Sequence, residues 1–330
     1  MNKVCLPRLK QLDGLRFFAI ITIILSHLEF LKELKFGNVY WNHFHNATWG
    51  VDYFFILSGF GLFYSLRNTG VSNSLKNNLL FAIKKVKKIY VLYVISLIIS
   101  LPYNIFLTEY SVKTVMIKFF INLTLLQSIF GVTRLSHGIN GVCWFLSALF
   151  ICYFFAPVII KFIRKKIETT KQTLFALFIN IVLILAMSEL LLMIQHKIDI
   201  FDDLFYGSPY IRILYLSLGM LLANLYFQIK DLIKASKFTT YELLISLLLI
   251  IFYLIRNILY VDEIFLRFFD VSLCSAGLLV FSFGKGCISS FLGSNKIVQM
   301  YGGGVRNVSL LVALSSKDDN RSLSQKIFYN

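Results

Sequence analysis

The chain has 330 residues, 57% of them hydrophobic and only 15% charged, with a formal net charge of +16 and a mean hydropathy of +0.72. Its apolar residues fall in repeated blocks near the ~20 that cross a bilayer, which excludes an ordinary soluble domain and points to a polytopic membrane protein. The positive charge then reads as membrane topology, not as nucleic-acid binding.

The first apolar run, residues 12–30, follows a basic start (Lys3, Arg8, Lys10) and lacks an A-x-A-like cleavage site, so it is expected to stay as an uncleaved first span. Its amino terminus is expected on the cytoplasmic side, with 49–66 returning there. The connecting segment 67–88 ends in Lys84, Lys85, Lys87 and Lys88, the densest basic run of the chain, and a third span leaves over 89–107. Residues 112–130 carry Lys113, Lys118, Asn122 and Gln127 and are expected to form a helix on the outer surface. Counting them as a ninth span would put Lys161, Arg164, Lys165 and Lys166 outside, against the positive-inside rule. Further spans are expected at 142–160, 174–194, 210–227, 241–255 and 268–283. The fold expected is an all-α, polytopic helical bundle of about eight spans plus one interfacial helix, in the cell's inner (cytoplasmic) membrane.

Two ionisable side chains inside the first span stand out. Arg16 and His27 are eleven residues apart, which at ~100° per residue is three turns plus ~20°, so they share one helix face ~16 Å apart along the axis. Asp13 lies about 40° from His27 on the same stripe. Such residues in a spanning helix mark a functional site unless they merely pair within the bundle. The remaining polar features are weaker. The five cysteines show no C-x-x-C, and the HxH pair His43 and His45 has no third ligand nearby, so no metal is expected. Gly302 to Gly304 lack the Lys and Ser/Thr of a phosphate loop. Ser58 and Gly59 suit close packing between helices.

The segments LDGLRFFAIITIILSH, WGVDYFFILSGFGLF, KKVKKIYVLY, NLTLLQSIF, CWFLSALFICYFFAP and SPYIRILYLSLGMLLANL occur in this order over about residues 10–300. Together they resemble the membrane acyltransferase-3 family, whose members move acyl groups onto cell-envelope glycans. The resemblance implies an acyltransferase-3-like transmembrane domain over 1–300 and an atypical polar tail over 301–330. In the family, a stretch like FLGSNKIVQM leads into a further helix and a last span, whereas YGGGVRNVSLLVALSSKDDNRSLSQKIFYN follows here. The last two family spans are therefore expected to be missing, as in a truncated or frame-shifted chain.

O-acyl transfer needs a base to take the proton from a sugar hydroxyl as it attacks a thioester carbonyl, and a neutral imidazole suits that task. His27 is the candidate base and Asp52, at comparable depth in the second span, the candidate to orient the ring and stabilise imidazolium. The donor, acetyl-CoA or another acyl-CoA, carries phosphates that call for fixed positive charge. Arg16, Lys84, Lys85 and Lys88 are candidates for it, although a lysine cluster beside a span is also ordinary topology and many family members have arginines there. Arg212 and Trp144 are candidate acceptor contacts, with snorkelling and an interfacial belt as the plainer readings. The function expected is O-acyl transfer to an envelope polysaccharide or glycolipid; a proton-coupled transporter and an inactive remnant are the alternatives. The sequence leaves open the acceptor, the acyl length, direct transfer versus an acyl-histidine intermediate, activity without the final spans and the oligomeric state.

Overall fold

A computed structural model describes residues 6–26, 38–39, 43–44, 48–70, 74–108, 110–141, 143–233, 237–259 and 261–302. The described residues form helices and contain no strand: α1 Lys10–Ser26, α2 Thr48–Leu66, α3 Leu75–Phe106, α4 Val112–Leu123, α5 Thr133–Ser136, α6 Cys143–Lys166 and α7 Thr170–Lys197. They continue as α8 Pro209–Ile229, α9 Phe238–Ile255, α10 Glu263–Ser282, α11 Cys287–Ser294 and α12 Lys296–Gly302, with short 3-10 turns at Gln127–Phe130 and Asp199–Phe201. Among these, six helices (α3 and α6 to α10) are long and apolar enough to cross a membrane. Residues 12–30 and 49–66, also expected to span, form α1, described as far as Ser26, and α2, which are not among those six. The chain is an all-α polytopic membrane bundle.

Three expected boundaries move. The lysine run does not lie in a connection, because α3 starts at Leu75. Ser74 caps it, its Oγ accepting from the Asn77 N–H at 3.3 Å, and straight-chain lysines continue a helix well beyond its apolar part. The helix expected over 112–130 stops at Leu123. Asn122 Nδ2 donates back to the Lys118 carbonyl at 2.9 Å and Leu125 turns left-handed at φ 57°, so the last carbonyls are satisfied locally and the chain leaves the axis. At twelve residues, α4 is ~18 Å long and does not reach across a ~30 Å hydrocarbon layer. The last span begins at Glu263 rather than 268, since Glu263 and Arg267 pair across one turn at 3.0 Å.

The chain divides into two compact units, one of residues 1–73, 156–186 and 214–304, the other of 74–155, 187–213 and 305–330. In the first unit α1 packs on α2, α11 and α12, while α10 packs on α9 and α2. α2 meets α8 backbone to backbone: a Cβ on Gly59 would run into the Leu216 carbonyl, and one on Gly219 into that of Ile56. Without a hydrophobic drive between helices in lipid, such close approach is what holds them together. Buried hydrogen bonds fasten the second unit. Tyr93 OH donates to the Asn122 carbonyl at 2.8 Å, Gln127 Nε2 to Tyr93 OH at 3.0 Å, and Asn104 Nδ2 to the Ile139 carbonyl at 2.9 Å.

Candidate functional site

At the start of α1, Asp13 and Arg16 are three residues apart and so share a face. Asp13 Oδ1 accepts from Arg16 Nη1 at 3.0 Å and Asp13 Oδ2 from Arg8 Nε at 2.8 Å. Two guanidiniums thus converge on one buried carboxylate and leave a net positive charge. They line a cavity of about 370 Å³ whose other walls include Leu57, Phe60 and Gly61 of α2. Thr69, at its rim, is fixed from behind: Arg164 donates to the Thr69 carbonyl at 2.8 Å and also to that of Leu66, closing the carbonyl end of α2 with positive charge. His27 lies outside the described residues.

Asp52 is 2% exposed in the second turn of α2, and its Oδ2 stands 3.9 Å from Nη1 of the equally buried Arg267. Arg267 Nη2 donates to Glu263 Oε1 at 3.0 Å, the same oxygen accepts from Arg256 Nη2 at 3.0 Å, and Arg256 Nε donates to Asp270 Oδ2 at 2.8 Å. The outcome is a chain of three carboxylates and two guanidiniums linking α2, α9 and α10. Sequence reasoning missed Arg256, Glu263, Arg267 and Asp270, which fall between or just inside the spans expected at 241–255 and 268–283. Their acid and base spacings of four (263, 267) and three (267, 270) residues were the available signal.

In the second unit the structure brings Arg212 and Trp144 together. The Arg212 guanidinium carbon lies 5.5 Å from the Trp144 ring and 5.5 Å from the Tyr206 ring, and its Nη2 donates to the Tyr206 carbonyl at 2.8 Å. Arg212 does not snorkel; it is 1% exposed. Trp144 is equally buried, and the cation and Tyr206, at 4.8 Å between centroids, occupy the surroundings of its ring. Beside them, buried Asp203 accepts from Ser136 Oγ, faces His137 Nδ1 at 3.3 Å and accepts the Gly207 N–H at 2.9 Å. These residues too were missed, since nothing in their spacing announces a contact across sixty-seven positions. Lys84, Lys87 and Lys88 are exposed along α3 and Lys85 is half-buried over the Phe81 ring at 5.4 Å; they belong to the second unit, Arg16 to the first.

Among the described residues no group of three His, Cys, Asp or Glu side chains is placed to hold a metal ion, and His43 Nδ1 is engaged by the Leu254 carbonyl at 2.6 Å. His45 lies outside the described residues. No curated protein and no solved structure matches the chain. A family model described as an acyltransferase domain does, over residues 9–303, and so takes in α1 with its Asp13–Arg16 cavity, the Asp52–Arg267 pair and the Arg212–Trp144 pair. A membrane-embedded helical bundle matched by that model from α1 to α12 belongs to the acyltransferase-3 family of membrane acyltransferases.

Proposed function

We propose that this chain is an integral-membrane O-acyltransferase that takes an acyl group, acetyl in the first instance, from acyl-CoA and delivers it to a hydroxyl of an envelope polysaccharide or glycolipid. It sits in the cytoplasmic membrane with its amino terminus inside. The observation that carries the reading is the cavity at the start of α1, where Arg16 presents a guanidinium held in place by Asp13. A phosphate or a thioester carbonyl is the partner such a fixed cation suits. Lys84, Lys85 and Lys88 are proposed to attract the same polyanionic donor.

In the reaction proposed, the acceptor hydroxyl oxygen attacks the thioester carbon while His27 takes its proton. The carbon–sulfur bond then breaks, and the CoA thiolate leaves with that proton. Asp52, balanced by Arg267, is proposed to orient the imidazole and stabilise its protonated form, as the carboxylate of a Ser-His-Asp triad does. Arg212, stacked on Trp144, is proposed to face the acceptor side. The test is the acetyl ester content of envelope glycans in cells lacking the gene, complemented with the chain, with His27→Ala or with Arg16→Gln. Restoration by the chain and by neither variant is expected. Full restoration by His27→Ala would remove the proposed base.

A further inference from the structure

Two glycines of α2, Gly59 and Gly61, two positions apart, meet opposite surroundings. Gly59 is dictated by packing, because any Cβ there strikes the Leu216 carbonyl. Gly61 is not. The nearest heavy atom to a Cβ built on it is Arg16 Nη2, at 3.9 Å, an ordinary contact distance, and its backbone is helical and needs no left-handed freedom. A glycine inside a helix costs backbone entropy and returns nothing there unless something else uses the space. What borders that space is the 370 Å³ cavity, of which Gly61 and Arg16 are both walls.

The guanidinium is divided between two tasks. Nη1 is held by Asp13 at 3.0 Å, which fixes the plane of the group, and Nη2 is turned toward Gly61. We infer that Gly61 is a specificity-determining position: its missing side chain keeps open the approach by which a phosphate of the donor reaches Arg16 Nη2. Alanine would leave the approach nearly as wide. Valine and leucine would fill it in turn, and the loss of binding would track side-chain volume without disturbing the α2–α8 contact at Gly59. The inference rests on reading the cavity as the donor site.

The test is equilibrium binding of CoA to the full chain in phosphatidylcholine nanodiscs, for the wild type and for Gly61→Ala, Gly61→Val and Gly61→Leu, with thermal unfolding of each variant measured alongside. A loss within threefold for alanine, rising past tenfold for leucine at unchanged unfolding temperature, is expected. In an Arg16→Gln background the series should be flat, since the group being approached is gone. A flat series in the wild-type background overturns the inference while leaving the donor reading intact, and it can be read from alanine and valine should leucine fail to fold. Absence of CoA binding by the wild type overturns the donor reading and the inference with it. Binding by the wild type in phosphatidylcholine that vanishes in phosphatidylglycerol, with the Gly61 series then flat for CoA in both, assigns the cavity to lipid phosphate and overturns both.

Discussion

Replacing Lys118 by methionine should stabilise the protein, and only over a defined range of pH. Lys118 sits on α4, outside the spanning helices, and is 5% exposed; among the described residues its Nζ has no hydrogen-bond partner and lies 3.3 Å from the centre of the Tyr110 ring. Burial first, and the nearby Arg134 second, bring its pKa down from 10.5 to about 8. At about 1.4 kcal/mol for each factor of ten, that displacement costs the folded state roughly 3 kcal/mol. The cation–π contact with Tyr110 offsets about 1 kcal/mol, leaving a net cost of ~2 kcal/mol. Because the folded value lies below the unfolded one, the cost is complete below pH 8. It shrinks between about pH 8 and 10.5, where the unfolded chain holds a proton the folded chain has shed, and is gone above that. Lys118→Met keeps the apolar stem and removes the charge, so it should gain ~2 kcal/mol at pH 7 and little at pH 10. Thermal unfolding in detergent, followed by labelling of the buried thiols Cys143, Cys152 and Cys274, reads both values against the wild type at each pH. A destabilised variant, or an equal gain at pH 7 and pH 10, would refute the reasoning.

Arg256→Met leaves Asp270, 2% exposed, without its guanidinium and should cost about 3–5 kcal/mol, while adding Asp270→Leu should recover most of it; urea or thermal unfolding of the single and double variants measures the coupling. Gly59→Val should separate α2 from α8 and remove the monodisperse peak in size-exclusion chromatography, whereas Gly61→Val should preserve it. Asp203→Asn weakens the carboxylate that Ser136, His137 and Gly207 share, and faster hydrogen exchange over residues 133–138 is the expected signature.

Helices α6 to α9 were legible because their apolar runs are as long as a bilayer is thick, a property of sequence alone. That Asp13 and Arg16 share a stripe of the first helix was legible from helical spacing; that they pair with each other was not read from it. What escaped reading depends on distance in the chain or on where a helix stops. Arg212 lacked any visible partner because Trp144 is sixty-eight positions earlier and the carbonyl it binds belongs to a turn. Arg256, Arg267 and Asp270 went unread because their partners lie on other helices, and only the fold shows that buried pairing lets such charge sit deep. Hydropathy gave no warning that α3 would begin fourteen residues before its apolar part, since lysine is a good helix former in or out of a membrane.

The neighbours of α1 also set a schedule for biogenesis. Gln11 Nε2 donates to the Ser282 carbonyl and Gln299 Nε2 to that of Lys10, contacts spanning 271 and 289 residues, and Leu292 closes over Gly14. Helix α1 therefore waits for helices made more than 250 residues later before its amino-terminal end is covered. At 5–20 residues per second the interval is roughly 15 s to a minute, during which Asp13 and Arg16 must be tolerated by lipid, translocon or chaperone. The cavity is walled early, when α2 arrives, but the helix that carries Asp13 and Arg16 is braced only once α10 to α12 have been made.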